Sequence, residues 1–444
     1  MTSGPTVFAV SSGRDRAGVA IVRISGPDAG TALSALARLL PKPRMATRAA
    51  LADPRDSTPL DQALVLWFPA PHSFTGENVS ELHVHGGRAV VAGVLDALGA
   101  MPGLRMAEPG EFTRRAFENG KIDLTEAEGL ADLIAAETDA QRRQALRQMS
   151  GELHRAAEKW RGDLVRAQAL VEAAIDFADE ADVSDRAVEE AVGMVQSLYR
   201  DLRTVLQDEH RGEIIRDGFR VVIVGPPNVG KSSLINAIAK RDAAIVSEEP
   251  GTTRDVIELQ LNLGGLAVVL MDTAGLRVAD GKVEREGIRR GLARAAEAEM
   301  ILWVMDATAP RWDSADLPNN SPTVVQVMNK IDLLERGVQA DRGKCLEISA
   351  VSGEGISELE TAIIAAARER THGGEPAVIT NERHREHISE SAGALEMFID
   401  GDKYHLELRA EDLRRAASAI GKLVGRIGAE EVLGEIFGRF CIGK

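Results

Sequence analysis

The chain has 444 residues, 44% of them hydrophobic, which allows several domains with buried cores and excludes global disorder. Its formal net charge of −15 does not favour non-specific binding to nucleic acid, although local basic clusters are present. The two cysteines form no CxxC pair, and neither a signal peptide nor an apolar run of membrane-spanning length is evident, so we expect a soluble, cytoplasmic protein without a disulfide framework.

The first 120 residues predict an α+β domain. Short runs of β-forming residues at 19–24 and 63–68 are separated by turns rich in Gly and Pro, and one helix is predicted at 89–98. His83 and His85 fall on one face of a predicted strand, but no third metal ligand is evident, so we favour a structural role for both.

After residue 120 the sequence pattern is first helical, then α/β, then helical again. Residues 121–215 contain almost no Gly or Pro and are rich in Ala, Leu, Glu and Arg at helical spacing, which predicts long helices. Strands alternate with helices at 216–372, which predicts a mostly parallel sheet, and helical composition returns at 373–444. We therefore expect one helical domain with the α/β domain inserted in it. Basic clusters at 142–147 and 414–415 are interpreted as solvated helix faces rather than nucleic-acid sites.

The inserted domain begins with a phosphate-binding loop. An apolar run at 220–224 leads into the G-x-x-x-x-G-K-S/T pattern at 225–232, and a helix is predicted to follow from Ser233. The glycines let backbone N–H groups approach a phosphate, Lys231 places a positive charge on the β- and γ-phosphates, and Ser232 offers a hydroxyl to Mg²⁺. Strand, loop and helix occur in the required order, which predicts a nucleotide site.

Two further elements fit the same site. A second apolar run ends in Asp-Thr-Ala-Gly at 272–275, which places Asp272 on the Mg²⁺ side and Gly275 near the γ-phosphate. A polar loop, Gly-Thr-Thr-Arg-Asp, lies before it at 251–255. A threonine of this loop, assigned as Thr253, is expected to reach Mg²⁺ while the γ-phosphate is present, as in a switch segment.

The base is predicted to be guanine. A third apolar run ends in Asn329, Lys330 and, two residues later, Asp332. The Asp332 carboxylate accepts hydrogen bonds from N1–H and the N2 amino group of guanine, whereas adenine lacks this pair of donors. Ser349 and Ala350 then supply a backbone N–H for guanine O6. The ordered elements predict a Ras-like G domain that binds GTP rather than ATP.

The group that activates water is less evident. Ras-like GTPases place a Gln directly after Asp-x-x-Gly, but Leu276 stands there and cannot orient water. Glu284 and Glu286 are candidates near the switch, with solvated helix carboxylates as the alternative. No arginine finger is identifiable in the chain, and a monovalent cation held at Asn228 would compensate transition-state charge in its place.

Nearly the whole chain resembles one family, the MnmE (TrmE) tRNA modification GTPases. The segments that carry the resemblance are 18–26, 73–78, 81–87, 109–117, 171–177 and 440–444, together with the inserted G domain. It implies a multidomain α+β and α/β fold. This fold comprises an N-terminal α+β folate-binding-like domain at 1–120, an all-helical domain at 121–215 and 373–444, and a Ras-like P-loop G domain at 216–372 inserted in the helical domain.

The resemblance, and not the residue pattern, implies a folate site in the N-terminal domain. The ligand is a 5-formyl- or methylene-tetrahydrofolate. The positions that correspond to its contacts are Arg23, Glu81, Lys121 and Lys444. Cations suit the glutamate tail of a folate and a carboxylate suits the pterin donors. Cys441 lies near this implied pocket, and we interpret it as a buried small residue rather than a nucleophile.

The resemblance also implies K⁺-stimulated hydrolysis, activated when G domains pair across a homodimer formed by the N-terminal domains. Ser247 and Glu249 stand where the family usually has Thr and Ile, a change of little consequence if this loop coordinates through backbone carbonyls. Glu284 corresponds to the general base, acting through water. The implied K⁺ ligands are Asn228, Ser247, Glu249 and Thr252, and the Mg²⁺ ligands are Ser232 and Thr253. The full GTP-binding set is Asn228, Val229, Gly230, Lys231, Ser232, Ser233, Ser247, Thr252, Asp272, Thr273, Ala274, Gly275, Asn329, Lys330, Asp332, Ser349 and Ala350.

The implied reaction adds a carboxymethylaminomethyl or aminomethyl group to carbon 5 of the wobble uridine of certain tRNAs. The implied assembly is a heterotetramer with the FAD-dependent MnmG (GidA) protein. A GTP-dependent RNA-binding or ribosome-assembly factor is the alternative, since the G motifs alone do not separate the two. The folate-site residues and the C-terminal segment favour the first, because a ribosome factor is expected to carry a basic appendage. A folate enzyme with an inactive G domain conflicts with the intact nucleotide motifs.

Overall fold

A computed structural model describes most of the chain and shows two compact units. The described residues are 4–13, 16–177, 181–241, 258–272, 298–310, 323–334, 345–372, 377–402, 405–427, 434, 436–438, 440 and 442–444. The first unit comprises Met1–Ala131, Met149–Arg161 and Ala417–Lys444, and the second comprises Asp132–Gln148 and Gly162–Ala416. None of the helices in these described parts is long and apolar enough to cross a bilayer.

The first unit is built on a six-stranded mixed sheet. Its strands are β1 (Thr6–Val10), β2 (Ala17–Ser25), β3 (Thr47–Ala52), β4 (Pro59–Phe68), β5 (Val79–Gly86) and β6 (Leu104–Met106). Their order is β3-β4-β5-β2-β1-β6, and every neighbouring pair is antiparallel except β1 and β6, which are parallel. The strand order leaves β3 at one edge of the sheet.

One face of this sheet packs against two helices, α1 (Ala29–Ala37) and α2 (Arg88–Gly99). Alternate strand residues such as Val22 and Ile24 are fully buried against them, as the two-residue period of a strand requires. The strands predicted at 19–24 and 63–68 and the helix predicted at 89–98 are confirmed. Strand β3 was not predicted, because its Thr-Arg-Ala-Ala-Leu-Ala composition favours a helix and only pairing with β4 makes it a strand.

The C-terminal segment of the chain packs on the opposite face of the same sheet. Ile442 lies against the apolar cluster that contains Phe112, and the backbone N–H of Phe112 donates to the carbonyl of Lys444 at 3.3 Å. Gly443 has φ +104°, and a Cβ at this position would lie 1.9 Å from the carbonyl oxygen of Val10. Only glycine therefore allows the chain terminus to approach β1 this closely.

Helices dominate the segment between the two sheets. They are α3 (Glu111–Glu118), α4 (Leu124–Ala135), α5 (Asp139–Met149), α6 (Glu152–Asp176), α7 (Ala181–Leu206) and α8 (Arg211–Asp217). The prediction of long helices is confirmed, since α6 has 25 residues and α7 has 26.

The second unit contains a doubly wound sheet. Its strands are β7 (Phe219–Val224), β8 (Glu258–Leu263), β9 (Leu266–Asp272), β10 (Met300–Asp306), β11 (Thr323–Asn329) and β12 (Leu346–Glu347). They follow the order β12-β11-β10-β7-β9-β8, and among these described strands only the β8–β9 pair is antiparallel. The chain passes from β7 to one side of the sheet and returns to the other at β10, so the order reverses beside β7.

Both faces of this sheet are buried, which confirms the predicted α/β domain. Val221 of β7 belongs to the core shared with α9 (Lys231–Arg241) and α10 (Ile356–Thr371), whereas Val222 belongs to the core on the other face. Burial on both faces explains the continuous apolar run of β7. Helix α9 begins at Lys231, two residues before its predicted start, because the phosphate loop closes directly into its first turn.

The helices on either side of the α/β segment pack together. After α10 come α11 (Glu382–Asp400) and α12 (Leu406–Leu423), and α11 packs on α7. Arg385 of α11 donates to Asp208 at 2.6 Å and to Glu213 at 2.9 Å. The chain therefore leaves and re-enters a helical layer around the α/β domain, as an inserted domain requires. The boundaries at 121, 216 and 373 stay predictions.

Candidate functional site

The phosphate loop lies at the carboxyl end of β7, beside the reversal of strand order. A Cβ on Gly225 (φ +154°) would lie 2.2 Å from the carbonyl oxygen of Val304, and one on Gly230 (φ +95°) would lie 2.3 Å from Nδ2 of Asn329. Residues of β10 and β11 thus lie too close to the loop to allow a side chain at either glycine. Asn228, between them, is exposed and has φ 63°. Contacts with neighbouring strands therefore restrict the shape of the loop.

The loop holds its own cation. The Lys231 side chain is buried, and its Nζ donates to the carbonyl oxygens of Gly225 and Pro226, both at 2.8 Å. Ser232 and Ser233 follow in the first turn of α9 and are exposed. An ammonium inside the loop and the N-terminus of an 11-residue helix both favour a bound anion.

Asn329 ties two loops of the site together. Its side chain is 2% exposed; Nδ2 donates to the Val229 carbonyl at 2.8 Å, and Oδ1 accepts from the backbone N–H of Ala350 at 3.0 Å. The phosphate loop and the loop after β12 are therefore joined through one amide. The sequence placed Asn329 at the nucleotide but did not reveal this tie, whose partners are far apart in the chain.

Asp332 is exposed and oriented by a buried hydroxyl. It lies in a 3-10 turn, Ile331–Leu333, where its Oδ1 accepts from Oγ of Ser349 at 2.6 Å. Ser349 itself is fully buried, and its backbone N–H donates to the Glu354 carbonyl at 2.9 Å. The structure thus brings together the two elements that the sequence assigned to the base.

Lys330 is held by an acidic residue that the sequence analysis did not single out. Its Nζ lies 2.6 Å from Oδ2 of Asp306, and Asp306 also accepts from the hydroxyl of Thr308 at 2.7 Å. Burial works to raise the pKa of Asp306, but the hydrogen bonds from Lys330 and Thr308 outweigh it and the pKa is lowered. Asp306 is therefore ionised at neutral pH. The available signal was an Asp directly after the apolar run of β10.

An open cavity of about 450 Å³ lies between α9 and the loop after β12. The residues that line it are Ser233, Asn236, Ala237, Lys240, Ala350, Val351, Ser352 and Gly353. Two of them, Ser233 and Ala350, belong to the predicted GTP-binding set. The volume falls within the range of roughly 300–1,000 Å³ that small-ligand sites occupy.

Part of the predicted nucleotide site lies outside the described residues. These residues are Ser247, Glu249, Thr252, Thr253, Thr273, Ala274, Gly275 and Glu284. Asp272 is placed only by the backbone of β9, which ends there. The roles assigned to all of them stay predictions.

A second cluster lies on the sheet of the first unit. Arg23 and Glu81 are directly opposite in the β2–β5 register, and the Arg23 guanidinium donates to Oε1 of Glu81 at 3.0 Å. The guanidinium carbon lies 5.5 Å from the ring centroid of Phe74 and 5.7 Å from that of Phe112. The result is a half-buried ion pair beside two aromatic rings, a setting that strengthens both charge and stacking interactions.

The other two implied folate residues, Lys121 and Lys444, contact neighbours of this cluster. The carbonyl of Lys444 is bonded to Phe112, which is one of the rings beside Arg23. Lys121 donates from Nζ to the carbonyl of Pro71 at 3.1 Å, in the same β4–β5 loop that carries Phe74. The structure therefore pairs Arg23 with Glu81 directly and relates Lys121 and Lys444 to them through neighbouring residues.

The two histidines of β5 have acidic partners on the sheet. Nε2 of His83 lies 3.3 Å from Glu81, and Nδ1 of His85 lies 2.8 Å from Asp61. Over the described parts of the chain, no three His, Cys, Asp or Glu side chains converge as metal ligands would. The structural role expected for both histidines stays a prediction.

Comparison with known proteins covers nearly the whole chain. The family model described as the MnmE helical domain matches residues 124–441, and the model of the GTP-binding protein TrmE N-terminus matches residues 6–121. Proteins named tRNA modification GTPase MnmE are 51% identical in Rhodopseudomonas palustris, 52% in Beijerinckia indica and 50% in Paramagnetospirillum magneticum. Each alignment covers 99% of this chain and 99%, 96% and 99% of the respective relative.

Among solved structures, the G domain of the T. maritima FeoB iron transporter is 27% identical over 33% of this chain and 98% of its own. The TM-score of 0.26 is too low for this likeness to support a conclusion.

Proposed function

The chain belongs to the MnmE (TrmE) family of tRNA modification GTPases, and from this premise we propose that it modifies carbon 5 of the wobble uridine in certain tRNAs. It is a GTP-hydrolysing enzyme of tRNA modification. We propose that the added group is carboxymethylaminomethyl or aminomethyl, that its one-carbon unit comes from a tetrahydrofolate, and that the FAD-dependent MnmG (GidA) protein takes part. The proposed assembly is a cytoplasmic homodimer that binds MnmG as a heterotetramer.

The proposal of a GTP site is supported above all by the hydrogen bonds of Asn329 and Asp332. One amide joins the phosphate loop to the loop after β12, and one hydroxyl orients the exposed carboxylate. Both contacts fix groups that the proposal assigns to GTP, and fixed groups lower the ordering cost of binding.

In the proposed hydrolysis, Lys231 exchanges its two loop carbonyls for the β- and γ-phosphates. Its buried ammonium then neutralises charge that develops in the transition state. The Ser232 hydroxyl, exposed at the start of α9, fits an Mg²⁺ ion, which supplies charge stabilisation when bound. Glu284 is proposed as the general base that acts through water.

The exposed side chain of Asn228 makes it a suitable K⁺ ligand. An amide oxygen at the tip of the phosphate loop suits a weakly hydrated monovalent cation, whose charge would replace that of an arginine finger. We expect GTP turnover to be several-fold faster in KCl than in NaCl at matched ionic strength. Steady-state phosphate release measures this, and Asn228→Ala should abolish the difference between salts while the protein still binds GTP. Equal wild-type rates in both salts would remove the cation from the mechanism.

The Arg23–Glu81 pair supports the folate part of the proposal. A guanidinium and a carboxylate, half-buried beside Phe74 and Phe112, offer a donor set, an acceptor set and ring surfaces, which suit a pterin and its acidic tail. Lys121 and Lys444 would add positive charge for the tail.

The experiment that tests the proposed function measures both tRNA modification and GTP turnover, so that it covers the proposed folate site and the GTP site. In cells that lack the protein, tRNA nucleosides measured by mass spectrometry should lose the carbon-5 modification of the wobble uridine, and the wild-type gene should restore it. Arg23→Gln should fail to restore it, because the ligand loses its cation, while GTP turnover of the purified variant stays at the wild-type rate. Arg55→Gln, an exposed arginine of the same unit paired with Asp53, is the matched control and should restore the modification. Unchanged nucleosides in the deletion strain would refute the proposed reaction.

A further inference from the structure

A segment of the first unit carries unusually unbalanced positive charge. Between Asp28 and Asp53 the chain has no acidic residue but four basic ones, in a protein whose formal net charge is −15. These four residues, here called the basic edge, are Arg38, Lys42, Arg44 and Arg48. They run from the end of α1 to β3, the edge strand of the sheet.

All four side chains of the basic edge are exposed, and none forms an ion pair with any carboxylate that the structure describes. Arg38 donates to the hydroxyl of Ser57 at 2.8 Å. Arg44 donates to the carbonyl of His72, and its guanidinium carbon lies 5.6 Å from the ring centroid of Phe68. The partners are neutral, so the positive charge of the basic edge remains available to an anion.

Unlike the basic edge, the two basic clusters noted in the sequence, at 142–147 and 414–415, contain arginines that form ion pairs. Arg142 and Arg143 on α5 both pair with Asp139 at 2.6 Å. On α12, Arg414 pairs with Glu411 at 3.2 Å, and Arg415 lies 3.7 Å from Asp412. These pairs agree with the interpretation of both clusters as solvated helix faces. The ion pairs at these clusters distinguish them from the basic edge, whose four side chains form none with the carboxylates that the structure describes.

The basic edge is connected to the Arg23–Glu81 cluster through the loop between β4 and β5. Arg44 binds the carbonyl of His72, and Lys121 binds the carbonyl of the adjacent Pro71. The same loop carries Phe74, whose ring lies against Arg23. A chain of phosphates along the basic edge would therefore pass beside the site proposed to supply the one-carbon unit.

We propose that the basic edge binds the phosphate backbone of the substrate tRNA and so positions its wobble uridine near the Arg23–Glu81 cluster. The inference rests on the proposed function, which requires a tRNA to approach this cluster. Unpaired Lys and Arg side chains gain affinity for nucleic acid by releasing condensed counterions from phosphates, whereas ion-paired side chains must first break their pairs. The contacts go to phosphates, so the basic edge orients the tRNA without reading its bases.

The test compares two double variants of the full-length protein. Lys42→Gln/Arg48→Gln removes the two members of the basic edge for which the structure gives no side-chain hydrogen bond. Arg142→Gln/Arg143→Gln lowers the net charge equally, by two, at a cluster whose arginines are ion-paired with Asp139. Binding of an in vitro transcribed tRNA with a wobble uridine is measured by fluorescence anisotropy over a series of KCl concentrations.

We expect the basic-edge variant to bind the tRNA at least about tenfold more weakly, with the slope of log K against log salt reduced by about one to two. The α5 variant should bind like the wild type, and GTP turnover without tRNA should be unchanged in both. Equal affinities of the two variants would overturn the inference. So would wild-type tRNA affinity together with aggregation or an altered oligomeric state, because edge-strand charges would then serve to prevent strand pairing between copies. A wild-type protein that binds no tRNA would instead refute the proposed function itself.

Discussion

Replacement of Asp332 by Asn is expected to move the preference of the protein from guanine to xanthine nucleotides. The carboxylate of Asp332 would accept two hydrogen bonds from guanine, each worth about 1.5–3 kcal/mol because the acceptor is charged. The Asn amide replaces one acceptor with a donor, which conflicts with the guanine N2 amino group and matches the O2 carbonyl of xanthine. GTP affinity should therefore fall on the order of a hundredfold or more, and XTP affinity should rise.

Competition between fluorescent GTP and unlabelled GTP or XTP measures this change directly. Ser349→Ala provides the control, because it keeps the Asp332 carboxylate but removes the hydroxyl that donates to it at 2.6 Å and that accepts from the backbone N–H of Ser352 at 3.1 Å. We expect this variant to lose affinity about fivefold, in line with about 1 kcal/mol for one hydrogen bond, and to keep guanine selectivity. Undiminished GTP affinity in Asp332→Asn would show that another group selects the base.

Replacement of Glu284 by Ala is expected to preserve GTP binding and nearly to abolish turnover. A positioned general base contributes about 10²–10⁴ in rate, and Leu276 cannot replace it. Both residues lie outside the described residues, so the assignment of Glu284 depends on the family resemblance. Single-turnover hydrolysis in KCl, with nucleotide affinity measured in parallel, separates the chemical step from binding.

Glu286→Ala is the matched control for Glu284, since it removes the same charge two residues along the same segment. Near-normal turnover in this variant, beside a collapse in Glu284→Ala, would assign the base to one carboxylate. Wild-type turnover in Glu284→Ala would exclude it from the mechanism, and a collapse in Glu286→Ala alone would transfer the role to that residue.

The phosphate loop could be predicted from the sequence because its chemistry depends on contiguous residues. Gly225, Gly230 and Lys231 meet backbone requirements within one short loop, and the apolar run of β7 before it reports burial on both sheet faces. Alternation of strand and helix patterns likewise predicted the inserted α/β domain. Local patterns of this kind determined the GTP site and the domain class without knowledge of any long-range contact.

Tertiary structure decided which distant groups meet. The register of β2 against β5 places Arg23 opposite Glu81, 58 residues apart in the chain, and no local pattern encodes that register. Asn329 reaches a carbonyl of the phosphate loop 100 residues away. Gly443 fits against Val10 only because the last residues return to β1. The unpaired charge of the basic edge also depends on tertiary structure. The sequence contains the four cations, but only the fold determines that no described carboxylate lies close enough to neutralise them.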